Sequence, residues 1–325
     1  MSPPEKTVAF IGLGVMGYPM ALNLRKGLDD SHTLLVCDVS SDALARFQND
    51  AKGHGPVSTV DGGYQAVQLA DTVITMLPDS NAVKKVYLDP STGILAGAEA
   101  NSGTKSDKLI MECGTIETST ILEVAKATSS SKAAENLTFV DAPVSGGPMG
   151  AQDGTLAFMA GANNKAIFPR VKGYLSHMGK PDAIFLCGDI GAGTAFKVIN
   201  NYLSAITSLA ASEALNIGTK MGLDVALLTD VINVSGGQCW VTSKSNPVPG
   251  VQANVPSSRD YEGGFRIELC RKVLGMGSEL AEMVGARTIL DKPTLAAFDE
   301  AMSDGRYKGK DARVVYKWLN ESERK

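Results

Sequence analysis

A chain of 325 residues exceeds the usual size of one hydrophobic core, so two domains are expected. Its hydrophobic fraction of 44% and charged fraction of 20% are those of an ordinary globular protein. A net charge of −4, with no run of lysine and arginine, argues against a nucleic-acid partner, and no apolar stretch reaches membrane-spanning length.

The first element is the β-prone run Val8 to Ile11, followed at once by Gly12-Leu13-Gly14-Val15-Met16-Gly17 and a helical pattern through Met20, Leu22 and Leu24. Strand, glycine turn and helix in that order are the context that a dinucleotide fingerprint requires. Gly12 permits the tight turn, Gly14 removes the side chain that would block a pyrophosphate, and Gly17 lets helix and strand pack closely. The phosphates then lie on the helix N-terminus, where amides and dipole favour negative charge. A second strand, Thr33 to Cys37, ends in Asp38, about twenty residues beyond the fingerprint, where a ribose-binding carboxylate belongs. With Val39 rather than arginine beside it, Asp38 favours NAD over NADP. Ser40 or Ser41 is placed to cap the next helix.

Strand and helix then alternate. Helices are expected over 42–50, 81–88 and 118–128, and strands over 72–77, 109–113 and 137–141, with a mobile surface loop from Gly97 to Asp107. Repeated β-α units imply a doubly wound parallel sheet with its ligand at the carboxyl ends of the strands. Pro78 and Thr115 lie just past two such ends. The segment Asp141-Ala142-Pro143-Val144-Ser145-Gly146-Gly147 offers, in Ser145 and the amides of Gly146 and Gly147, a nest for a carboxylate. A Pro/Gly-rich hairpin without chemistry is the plainer alternative. A last strand, 183–187, leads to Gly191 and Gly193, which allow a close approach before a long helix begins.

That helix, from Thr194 to Gly222, repeats Phe196, Ile199, Leu203, Ile206 and Leu209 at helical spacing, which predicts that it is buried. Lys197, Asn201, Ser204 and Ser208 form a polar stripe along it. A lone lysine in a first turn most often reaches out to solvent. Asn201, one turn on, and the glycines before it favour a ligand-facing role instead. Beyond Gly222 the alternation stops: 225–232, 267–284, 294–302 and 312–320 read as helices, separated by a long loop from Ser243 to Gly264. The expected partition is a dinucleotide-binding domain over 1–190, an interdomain helix over 191–222, and an all-α domain over 223–325.

The five cysteines are odd in number and scattered, and the three histidines have no ligand spacing, so reduced thiols and no metal site are expected. The stretch Met1 to Lys6 is too short and polar for a signal peptide. The expectation is a soluble intracellular protein, cytoplasmic as the sequence stands and of the mitochondrial matrix if a presequence precedes it.

Taken together, Gly12-Leu13-Gly14-x-Met16-Gly17, Asp141 to Gly147 and Gly191-x-Gly193-x-x-x-Lys197-x-x-x-Asn201 resemble the signatures of the β-hydroxyacid dehydrogenase family. Cys239-Trp240 and Asn246-Pro247-Val248-Pro249-Gly250-Val251 are similar to its branch acting on 3-hydroxyisobutyrate. The resemblance implies NAD-dependent oxidation of that small 3-hydroxy acid to methylmalonate semialdehyde, a step of valine breakdown, in a homodimer or homotetramer. It implies that Lys197 is the catalytic acid/base, that Ser145, Gly146 and Gly147 hold the substrate carboxylate, and that Asn201 orients the substrate. It also implies that Leu77, Pro78, Thr115 and Lys272 contact the cofactor or its nicotinamide end, with Lys272 and Trp240 at the substrate. The family's Lys-Asp-Leu appears here as Lys272-Val273-Leu274, so aspartate restored at 273 is expected to raise turnover. Gln238 stands where near relatives carry arginine. The alternatives are a sister enzyme with another small substrate and a non-catalytic dinucleotide-binding reader, against which the intact Lys197 argues.

Overall fold

The computed structural model describes residues 7–100 and 107–322 and divides into two compact units, Met1–Lys197 and Val198–Lys325. Among the described residues of the first unit, nine strands form one sheet: β1 (Thr7–Ile11), β2 (Thr33–Cys37), β3 (Val57–Thr59), β4 (Thr72–Thr75), β5 (Lys108–Glu112), β6 (Leu137–Asp141), β7 (Val144–Ser145), β8 (Leu156–Gly161) and β9 (Gly179–Gly188). The order is β3-β2-β1-β4-β5-β6-β8-β7, with β9 paired to β8. From β3 to β6 every pairing is parallel. β8 then runs antiparallel to β6 and β7, while β9 lies parallel to β8.

The helices of this unit are α1 (Gly17–Gly27), α2 (Ser41–Asp50), α3 (Gly63–Leu69), α4 (Ser80–Leu88), α5 (Ile94–Ala100), α6 (Thr118–Ser130), α7 (Gly147–Gln152), α8 (Phe168–Leu175) and the start of α9 (Ala192–Lys220). Central strands read as near-continuous apolar runs because both faces of the sheet are covered. Val8, Phe10, Leu34, Ile74, Met111 and Val140 belong to one buried cluster, and Ala9, Ile11, Val73, Ile110 and Phe139 to another. The alternating directions of neighbouring side chains produce these two layers.

The sheet is thus wider than the sequence pattern indicates. β3 and β8 add to the strands expected from the sequence, and β9 is longer than its apolar centre. The Asp141 to Gly154 segment forms the short strand β7 and helix α7. Gly97 is not in a mobile loop: it lies buried in α5, where an added Cβ would stand 2.5 Å from the Tyr64 carbonyl. The remainder of that expected loop, residues 101–106, lies outside the described residues.

The second unit is helical: the rest of α9, α10 (Val225–Asn233), α11 (Trp240–Lys244), α12 (Ile267–Met283), α13 (Asp291–Ser303) and α14 (Val315–Glu321). Its main core gathers Ala205, Tyr261, Leu274, Phe298 and Val315. The segment expected as a long loop is pinned down. Asn246 is buried and donates to Thr229 Oγ1 at 3.1 Å, Ser257 Oγ donates to its carbonyl at 2.6 Å, and Tyr261 Oη donates to the Pro247 carbonyl at 2.7 Å.

The apolar row on α9 is divided. Ile206 and Leu209 pack on the helical core as expected, but Phe196, Ile199 and Leu203 are 56%, 58% and 60% exposed, and of the polar stripe Lys197 and Ser208 are buried and Asn201 and Ser204 half-buried. Periodicity identifies residues that share a face; it does not say which face turns inward. Ser208 and Ser212 satisfy themselves by donating to carbonyls one turn back, at 2.8 and 2.7 Å.

Candidate active site

The glycine turn closes β1 against α1. Gly12 has φ +99°, and a Cβ there would lie 2.3 Å from the Met76 carbonyl oxygen. A Cβ on Gly17 would lie 1.9 Å from the Gly12 carbonyl oxygen, so this glycine is a packing requirement. Gly14 differs: a Cβ there would meet nothing within 4 Å, and the residue is exposed. α1 begins after Met16 with no side chain capping it. A bare helix start beside an open glycine is a cradle that fits a dinucleotide pyrophosphate.

Asp38 lies at the adjacent strand end. One carboxylate oxygen accepts from the Leu13 amide at 2.6 Å and the other from the Ser40 amide at 2.8 Å. Ser40 in turn caps α2, accepting from the Ala43 amide at 3.2 Å, so Asp38 is not needed as that cap.

Leu77, Pro78 and Thr115 follow β4 and β5, with Leu77 buried, Pro78 exposed and Thr115 between. A carboxylate not anticipated as a site residue ties these two strand ends. Glu112, fully buried at the end of β5, accepts from the Gly114 amide at 2.7 Å and from Thr75 Oγ1. Thr75 also bonds the Tyr87 hydroxyl at 2.6 Å. Burial pushes the Glu112 carboxyl up to about 7, although hydrogen bonds from Thr75 and the Gly114 and Leu77 amides pull the other way.

Ser145 is half-buried in β7, and Gly146 and Gly147 are exposed, with φ +139° and +64°. Such values favour glycine, and α7 starts at Gly147 with no side chain capping it. Gly191 and Gly193 approach protein rather than ligand: a Cβ on Gly193 would lie 2.0 Å from the Met159 carbonyl oxygen. Facing them is Asp141, the last residue of β6, a second carboxylate to which the sequence motif assigns no role of its own. It was legible in principle, as was Glu112, because each is an acidic residue closing an apolar strand.

Lys197 is 8% exposed in the second turn of α9. Burial alone accounts for its pKa, lowered to about 8. Among the described residues it makes no hydrogen bond or ion pair. A buried amine near neutrality can both accept and return a proton.

In the second unit, Asn201 is half-buried on α9, one turn beyond Lys197. Lys272 is half-buried on α12, next to Val273, which packs with Val198 and Met276. Trp240 opens α11, is 58% exposed, and has the Arg313 guanidinium 5.2 Å from its ring centroid. No group of three or more histidine, cysteine or acidic side chains suited to a metal occurs among the described residues. The five cysteines are free thiols, and no helix among the described residues is long and apolar enough to cross a membrane.

Two family models meet at Gly191. Residues 7–191 match the NAD binding domain of 6-phosphogluconate dehydrogenase, and residues 191–322 match the NAD-binding domain of NADP-dependent 3-hydroxyisobutyrate dehydrogenase. A Dictyostelium discoideum protein named "Probable 3-hydroxyisobutyrate dehydrogenase, mitochondrial" is 38% identical, over 98% of this chain and 92% of its own. The 3-hydroxyisobutyrate dehydrogenase of Pseudomonas aeruginosa is also 38% identical, over 95% of this chain and 97% of its own. A solved structure of Mycobacterium tuberculosis 3-hydroxyisobutyrate dehydrogenase with L-serine superposes with a TM-score of 0.83 at 32% identity, covering 97% of this chain and 99% of that one. The Rossmann sheet, the open glycine cradle and near full-length identity agree: the chain belongs to the 3-hydroxyisobutyrate dehydrogenase family of NAD-dependent oxidoreductases.

Proposed function

We propose that this protein oxidises 3-hydroxyisobutyrate to methylmalonate semialdehyde with NAD, in valine breakdown, and that Lys197 takes the hydroxyl proton. The observation that carries the reading is a buried lysine without a partner, poised near pH 8, on the helix that follows a dinucleotide-binding sheet. Bound NAD supplies the hydride acceptor. Lys197, as the neutral amine, accepts the proton as hydride leaves the substrate carbon, and as ammonium returns it in the reverse direction.

Ser145 and the amides of Gly146 and Gly147 hold the substrate carboxylate in this reading. Gly12, Leu13, Gly14, Met16 and Gly17 receive the pyrophosphate, Asp38 the adenosine ribose, and Leu77, Pro78 and Thr115 the nicotinamide half. Asn201 as an orienting residue, Trp240 at the substrate, and Lys272 at substrate and nicotinamide are carried over from the family resemblance. Functionally, residues 1–190 bind NAD, 191–222 carry the lysine, and 223–325 serve substrate and assembly. The exposed stripe of Phe196, Ile199 and Leu203 supports a homodimer or homotetramer. Five unpaired thiols support an intracellular location, and relatives with mitochondrial and bacterial names support the matrix or the cytoplasm.

The L-serine in the Mycobacterium tuberculosis structure is itself a 3-hydroxy acid, which supports the substrate class. NADH formation should be measured with 3-hydroxyisobutyrate, 3-hydroxypropionate, serine, glycerate and 4-hydroxybutyrate in parallel. The highest kcat/KM is expected for 3-hydroxyisobutyrate. A higher value for another acid, or no NADH with any, contradicts the assignment.

A further inference from the structure

Asp141 closes β6, and the first turn of α9 is bonded to it. Its Oδ1 accepts from the Gly191 amide and its Oδ2 from the Thr194 amide, each at 2.7 Å. The carboxylate is fully buried, and the surrounding backbone makes room for it. Gly161 faces Asp141 across the β6–β8 pair, where a Cβ would stand 2.3 Å from Oδ1. Gly193, between the two bonded amides, would bring a Cβ within 3.0 Å of the Asp141 carbonyl oxygen. Any side chain at either glycine would drive helix and strands apart.

The Gly191 amide and one first-turn donor of α9, that of Thr194, are therefore met by the protein's own carboxylate, while the Ala192 amide donates to the Asp189 carbonyl. Two further links follow from its place in the chain. Thr194 precedes Lys197 by less than one helical turn. Ala142, the next residue after Asp141, donates to the Glu112 carbonyl at 2.7 Å and opens the segment that runs to Ser145, Gly146 and Gly147. One carboxylate joins the segment read as holding the substrate carboxylate to the helix that carries the amine.

We propose that Asp141 is a positioning residue for the reaction: by fixing the start of α9 against β6 and β8, it sets where the Lys197 amine lies and keeps water from it. This rests on the reading of Lys197 as the acid/base. Burial raises the Asp141 carboxyl while the two amides restrain it, as for an anion held by hydrogen bonds inside the protein. Asp141 touches neither substrate nor cofactor in this scheme, so its effect appears in turnover rather than in NAD affinity.

The test is Asp141→Asn, in which the amide oxygen can accept from one backbone amide while its NH2 group confronts the other. Expected are a fall in kcat of at least about tenfold, an NADH affinity within about twofold of the parent, and an acid limb of kcat/KM displaced upward as water reaches Lys197. A folded variant with unchanged kcat and an unmoved limb overturns the proposal. If Asp141→Asn does not accumulate folded, Asp141→Ser, whose hydroxyl accepts from one amide, is read by the same criteria. Lys197→Ala separates the two possible failures. If it abolishes turnover while the Asp141 variant behaves as the parent, the positioning role falls alone; if Lys197→Ala keeps its rate, both readings fall.

Discussion

The Asp38 carboxylate accepts a 2.6 Å hydrogen bond from the amide of Leu13, 25 residues earlier, so the two halves of the dinucleotide fingerprint are joined within the protein itself. A carboxylate held in this way beside the glycine turn repels a 2′-phosphate and accepts from a ribose hydroxyl. The parent protein should therefore use NAD at least about tenfold better than NADP. Asp38→Asn should narrow that ratio by about tenfold or more, chiefly through a higher KM for NAD. Steady-state kinetics with both cofactors check this, and equal use of NADP by the parent contradicts it.

The lowered pKa of Lys197, about 8, has opposite consequences in the two directions. Oxidation needs the neutral amine, so kcat/KM should rise with pH and level off above about 8. Reduction of the semialdehyde needs the ammonium and should fall over the same range. Profiles recorded in both directions should cross near pH 8. A common limb in both directions would point to a different ionising group.

Glu112 gives a stability prediction whose sign is fixed by burial. Its folded pKa, about 7, lies above the ordinary 4.5, so the folded protein binds this proton more tightly than the unfolded chain. Its favourable contribution is full below about pH 4.5 and is lost as pH rises through 7, with a cost on the order of 3 kcal/mol when ionised. Glu112→Gln, which cannot ionise, should lose less thermal stability than the parent between pH 6 and 8.5. Parallel melting curves at the two pH values measure the difference, and identical slopes would show that Glu112 does not titrate there.

Family resemblance alone suggests that aspartate at position 273 would raise turnover, but the fold indicates otherwise. Val273 is 5% exposed and packs with Val198, Met276 and Leu280. A carboxylate at this site enters an apolar cluster without a partner, at a cost of roughly 3 kcal/mol and a fall in Tm of about 4 °C for a chain of this length. Val273→Asp should therefore melt lower without a gain in kcat. A faster enzyme of native stability would show that the cluster can open to receive the charge.

The parts of the molecule legible in the sequence are those specified locally. β1, the glycine turn, β2 and Asp38 follow one another in an order that fixes their geometry, and Ser40, one of the two serines placed to cap α2, does so through the Ala43 amide. What escaped depends on distance. β8 pairs with β6 and β7 in the opposite sense to the strands before it, and its short run Leu-Ala-Phe-Met-Ala-Gly carries no alternation of polarity. Asp141 finds its partners 50 and 53 residues away, so nothing in its neighbourhood announces them. The glycines at 191 and 193 do permit close approach, but it is the side chains of α6 that approach Gly191 and the backbone of β6 and β8 that approaches Gly193. The outward turn of Phe196, Ile199 and Leu203 is likewise invisible to periodicity.

The most direct measurement is the rate of NAD-dependent 3-hydroxyisobutyrate oxidation by Lys197→Ala, with its NADH affinity measured on the same preparation. The account predicts a loss in kcat of about a thousandfold or more with NADH binding unchanged. Near-native turnover in that variant would contradict it.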